Sequence, residues 1–205
     1  MEKKTIFAIT ALLCSSAITS TLNAQTITAS NNVATKKEVP TTTASGKDQY
    51  FMERYYNLKD TYPKLKNLYS CFAASSYTKE KYMERYNAIK AAYPDLEDVH
   101  DNYSGSNYTL ENFAKRYYEI KDTYPDMTKY FGDYAGSTKT LPEFITRYYE
   151  IKASAPDMKE YYGCYAASVN TLPEFTKRYY SIKDSKTGMD NGYGAYAGST
   201  IKLTK

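Results

Sequence analysis

Tryptophan is absent from the 205 residues, and histidine occurs once, at His100. No motif arranges a nucleophile or a carboxylate around that histidine, so catalysis finds little support. The glycines form no phosphate-cradling loop, and no serine stands in a strand-to-helix elbow. Cysteine is limited to Cys14, Cys71 and Cys164, without the spacing of a metal site. No cofactor is implied. Long apolar runs are also missing. A bilayer needs about 20 consecutive apolar residues, and the run from Ile6 to Cys14 is too short. A strong charge imbalance is missing as well: 27 Lys and Arg face 23 Asp and Glu. Without Glu2, Lys3 and Lys4 the count is 25 against 22, or +3. That carries no strong nucleic-acid signal.

The N-terminus reads as a secretory signal. Lys3 and Lys4 precede the apolar run, and small and polar residues lead to Leu22-Asn23-Ala24, where cleavage is expected. Leu13 before Cys14 is a poor fit to a lipoprotein site. The expected location is secreted, periplasmic or cell-surface, with no transmembrane segment in the mature chain. Residues 25–46 are rich in Thr, Ser, Ala and Asn and read as a flexible linker. Residues 47–205 are long enough for one domain with its own core.

What the chain has in quantity is tyrosine, 25 in all, set into a repeat. Arg54, Arg85, Arg116, Arg147 and Arg178 stand 31 residues apart. Leu58, Ile89, Ile120, Ile151 and Ile182 follow at the same interval, as do Lys59, Lys90, Lys121, Lys152 and Lys183. Phe51, Tyr82, Phe113, Phe144 and Phe175 precede each arginine, and Ser75, Ser106, Ser137, Ser168 and Ser199 come later. Five copies at one period define a repeat architecture, with units 47–77, 78–108, 109–139, 140–170 and 171–201.

Each unit reads as two helices. In the fourth, Thr140-Leu-Pro-Glu143 is a capping box, with Pro142 in the first turn. Leu141, Phe144, Tyr148, Ile151 and Ala155 share one face at about 100° per residue. Pro156 ends the first helix. Asp157 opens the second, whose apolar face is Met158, Tyr161, Tyr162 and Tyr165. Neither helix is long enough to stand alone. The expected fold is therefore all-α: five helix-turn-helix repeats stacked as a short αα-solenoid or a compact helical array. Lys47 in place of the Thr cap, and the glycines at 188, 192, 194 and 198, read as the decayed ends of such a stack.

Two readings of the arginine row compete. Arg147 could pair with Glu143, Arg178 with Glu174, or the row with Asp95, Asp126 and Asp157, all in service of the stack. Alternatively Arg85, Arg116, Arg147 and Arg178 could form a ladder of charge at a pitch of about 8–10 Å, suited to an anionic polymer. Tyr55, Tyr86, Tyr117, Tyr148 and Tyr179 read as core. Tyr56, Tyr118, Tyr149 and Tyr180 lie one residue later, at the margin of the apolar stripe, and are the best candidates for a contact surface. His100 stands where Tyr69, Phe131, Tyr162 and Tyr193 stand in sister copies, and reads as a packing substitution.

Cys71 and Cys164 occupy the same place in the first and fourth copies, where the other three copies carry Asn102, Asp133 and Ala195. In an open stack they would be too far apart to pair, leaving inert thiols or a link between two chains through Cys71 or Cys164. Asn102-Tyr-Ser104 and Asn107-Tyr-Thr109 match the glycosylation pattern. Together these features lead us to expect a secreted, non-enzymatic scaffold that binds a glycan, a cell-envelope polymer or a protein partner. The alternative is a structural envelope or matrix component that self-associates.

Overall fold

The computed structural model describes residues 50–185, 189 and 192–204. The expected signal, the linker and Lys47 therefore lie outside the described residues.

The repeats are all-helical, and no strand occurs among the described residues. The first helices are α1 (Phe51–Thr61), α3 (Lys79–Ala92), α5 (Leu110–Thr123), α7 (Leu141–Ser154) and α9 (Leu172–Asp184). The second helices are α2 (Leu68–Ala74), α4 (His100–Gly105), α6 (Phe131–Gly136), α8 (Tyr162–Ala167) and α10 (Tyr193–Gly198). The Thr hydroxyls do what the pattern implies. Thr78 accepts from the Lys81 amide and Thr109 from the Asn112 amide. Thr140 and Thr171 form full capping boxes with Glu143 and Glu174.

The second helix is shorter than the sequence implied. In the second, third and fourth repeats the chain makes a 3-10 turn after the helix-ending proline, at Pro94–Val99, Pro125–Tyr130 and Pro156–Tyr161, before the α-helix begins. Met127 and Met158 break the helical path inside those turns. Both are buried, so the break turns their side chains into the core.

The array closes on itself. Each second helix packs on the next, α2 on α4, α4 on α6, α6 on α8 and α8 on α10; α10 then packs on α2. A ring pair marks every junction: Phe72–Tyr82, Tyr103–Phe113, Tyr134–Phe144 and Tyr165–Phe175, with centroids 5.3–5.4 Å apart. Phe51–Tyr196 repeats this contact across the closure at 5.3 Å. The Phe51 amide donates to the Lys202 carbonyl, and the Met52 amide to that of Leu203. Five second helices thus line an axis, and the first helices form an outer layer. The two ends of the stack meet each other rather than water. Gly192, Gly194 and Gly198 are therefore not the mark of a decayed cap, and Gly188 lies outside the described residues. A Cβ on Gly194 would come within 2.6 Å of the Tyr161 ring and 2.8 Å of Cys164 Sγ. Gly194 is the residue that lets α10 approach α8.

Candidate functional site

The arginines turn inward. Arg85 donates through Nη2 to the Tyr103 and Tyr108 carbonyls and to Ser106 Oγ, and through Nε to the Ser104 carbonyl. Arg54, Arg116, Arg147 and Arg178 repeat the three Nη2 bonds on their own second helices. Nε donates to a carbonyl in Arg54, Arg116 and Arg178 and is buried without a partner in Arg147. The guanidinium satisfies the last carbonyls of a helix at its negative end. It also lies 4.1–4.3 Å over an aromatic ring in every copy. Arg54 and Arg85 are 2% and 3% exposed, and the other three are half-buried. Neither the glutamates nor the helix-turn aspartates take these donors. Glu143 and Glu174 instead accept from the backbone and hydroxyl of Thr140 and Thr171, which holds both carboxyls below their ordinary range.

The margin tyrosines face outward. Tyr118, Tyr149 and Tyr180 are 37%, 55% and 39% exposed, and Tyr56 is half-buried. Each packs edge-on against the tyrosine before it, at 5.2–5.4 Å between centroids. Three residues on, one helical turn away, a lysine lies on the ring: Lys59 on Tyr56 at 5.4 Å, Lys121 on Tyr118 and Lys152 on Tyr149 at 5.7 Å, and Lys183 on Tyr180 at 5.8 Å. The helical period points to the tyrosines as a contact surface but not to these lysines, whose constant three-residue spacing from the rings is the signal in the sequence. Because the fifth repeat adjoins the first, the four rings occupy successive repeats around the closed array. Asn87 interrupts the row in the second copy. Tyr180 Oη also donates to Asp157 Oδ2 at 3.3 Å, tying its ring to the preceding turn. Of the inner tyrosines, Tyr55 and Tyr179 are buried, while Tyr86, Tyr117 and Tyr148 are half-buried against the core.

A cavity of about 240 Å³ runs along the axis. Its wall takes Cys71, Asn102, Asp133, Cys164 and Ala195 from the equivalent position of all five repeats, with Asp101 beside them. Cys71 Sγ donates to Asp101 Oδ2 at 3.3 Å, and Asn102 Nδ2 donates to Asp133 Oδ1 at 3.4 Å. Burial, and then the neighbouring Asp101, push the Asp133 carboxyl up to about 7. Burial raises Asp101 too, and holds both thiols well above their ordinary range. The cysteines are free, pointing into the cavity instead of out from the ring. Among the described residues no group of three or more His, Cys, Asp or Glu could hold a metal ion.

His100 is buried, and its Nε2 lies 2.8 Å from the Tyr93 carbonyl. Tyr69 and Tyr162 use their hydroxyls in the same way, on the Tyr62 and Pro156 carbonyls. Asn102 lies in the axial wall, and Asn107 has a buried side-chain oxygen without a partner. No described helix is long and apolar enough to cross a membrane. Comparison with protein-family models, curated proteins and solved structures gives no match to this chain.

Proposed function

We propose that the protein is a secreted, non-enzymatic binding scaffold, and that its ligand is an acidic polysaccharide of a cell envelope. The observation that carries this reading is the row of exposed rings at Tyr118, Tyr149 and Tyr180, each under a lysine at 5.7–5.8 Å. A tyrosine plane suits the apolar face of a sugar, and its hydroxyl remains in water. An ammonium on the same ring meets a sugar carboxylate or phosphate at that position. A polymer engages several such steps at once, so weak single contacts multiply. The signal-like residues 1–24 support a location outside the cytoplasm. The arginines have no part in this surface, since their Nη2 donors are spent on helix ends.

Co-sedimentation of the protein with insoluble acidic polysaccharides, over a salt series, tests the reading. Binding should weaken as salt rises, through the lysines. The triple variant Y118A/Y149A/Y180A, with unchanged helical circular dichroism, should lose at least tenfold in affinity. Equal sedimentation of that variant and the wild type would overturn the proposal.

A further inference from the structure

The five arginines are alike in their Nη2 hydrogen bonds and unlike in what covers them. Arg85 lies between two rings, Tyr103 at 4.2 Å and Tyr77 of the preceding repeat at 5.0 Å. Arg116 lies likewise between Tyr134 at 4.1 Å and Tyr108 at 5.0 Å. The position of Tyr77 and Tyr108 is filled by Asn170 in the repeat before Arg178. Among the described residues, Arg178 has one ring over it, Tyr196 at 4.1 Å. Arg147, with Lys139 at the same position, also has one, Tyr165 at 4.1 Å. Of the two, Arg178 is the one that lines a groove.

Asn170 keeps one role of the tyrosine and gives up the other. Tyr77 Oη donates to the Ser106 carbonyl at 3.0 Å. Asn170 Nδ2 donates to the corresponding Ser199 carbonyl at 3.1 Å, and to that of Ala197 at 2.7 Å. The cross-repeat hydrogen bond survives, but the plane of the ring does not. A groove of about 470 Å³ lies there, lined by Arg178, Lys177, Glu174, Ser181, Tyr196 and Thr200 among others. That volume is ample for one aromatic ring. Two cations face one carboxylate, and the Glu174 carboxylate is already held by Thr171. Residues 25–46 contain no aromatic ring, so that segment cannot supply the plane.

We propose that this groove is a binding site for an aromatic carboxylate. The ligand's ring lies on the uncovered face of Arg178, as Tyr77 lies on Arg85 and Tyr108 on Arg116. Its carboxylate faces Lys177. A planar ring is required because a guanidinium plane stacks on π-faces and gains less from a saturated ring of equal size. The site is separate from the tyrosine–lysine row and stands or falls independently of it.

The experiment is a nitrogen-15 chemical-shift titration of the full protein with benzoate and, separately, with cyclohexanecarboxylate. Benzoate should shift the Ser199 and Thr200 amides and the Asn170 side-chain amide saturably, with at least fivefold higher affinity than its saturated counterpart. Asn170→Tyr, which supplies the missing ring, should lower benzoate affinity at least tenfold, while Asn170→Ala leaves it within twofold. Equal affinity for the two acids, shifts confined to other residues, or a folded Asn170→Tyr that binds like wild type would overturn the proposal. Should Asn170→Tyr not fold, the comparison of the two acids decides alone.

Discussion

Phe51 opens the first repeat and Tyr196 sits in the last, yet their rings meet edge to face at 5.3 Å, as the equivalent residues do at every internal junction. Both are buried, Phe51 completely. An open stack would leave one of these faces in water. Phe51→Ala should therefore cost as much as the internal Phe113→Ala, about 3–5 kcal/mol each. Urea denaturation of the two variants measures this. A Phe51→Ala cost under a third of the Phe113→Ala cost would mean an open array.

Arg85 serves the fold through at least three backbone carbonyls, so its replacement should be expensive. Arg85→Lys keeps the charge but loses the fork, and should destabilise by about 2–3 kcal/mol, since hydrogen bonds to a charged group are worth roughly 1.5–3 kcal/mol. Tyr149→Ala, on the exposed row, should change stability by no more than about 0.5 kcal/mol. Thermal melts of both variants would separate an internal clamp from a surface residue. Similar losses for the two would contradict the assignment.

Glycines near the axis should respond to alanine by position. At Gly163 a Cβ would overlap Asp133 Oδ2 and come within 2.7 Å of the Tyr130 ring. At Gly105 the nearest atom would be the Cys71 carbonyl oxygen at 3.4 Å. Gly163→Ala should cost about 1–3 kcal/mol. Gly105→Ala should be neutral or better, given the higher helix propensity of alanine. Chemical denaturation that ranked the two in the opposite order would argue against close packing of the second helices.

Stability should depend on pH through the axial carboxyls. Asp133 has a folded pKa raised to about 7, against about 3.9 for an unfolded aspartate. Its protonated form is thus favoured by folding. The contribution is complete below about pH 4 and is lost as pH rises through about 7. Asp101 is shifted in the same direction. The exposed Glu143 and Glu174 are shifted downward, so their contribution is present above the ordinary glutamate range and is lost in stronger acid. The melting temperature should fall between pH 5 and pH 8, and Asp133→Asn should flatten most of that fall. A wild-type protein that melts higher at pH 8 than at pH 5 would refute this.

The thiols should be quiet. Cys71 and Cys164 face the axial cavity with pKa values raised by burial, and the thiolate is the reactive form. Iodoacetamide at pH 8 should label the native protein at least tenfold more slowly than the urea-unfolded chain. A non-reducing gel should show the monomer, and a reducible dimer band would contradict the inward placement.

Much of this molecule was legible in one dimension. The period of 31, the Thr–Glu caps and the helix-ending prolines are local features, and local chemistry fixes them wherever the chain goes. The choice of Tyr118, Tyr149 and Tyr180 as surface residues needed only the helical period. Closure was not legible, because it depends on the small rotation between one repeat and the next, summed over all of them. That rotation is set by how closely the second helices approach, at Gly132, Gly163 and Gly194. The arginines were ambiguous for a related reason: the periodicity places them at the edge of a stripe but cannot say that a neighbouring helix ends within reach. Sequence alone determined the repeat, its two helices and its outward tyrosines. Only the tertiary structure decided that the ends meet, that the arginines turn inward, and that cysteines and aspartates from distant repeats share one axial cavity.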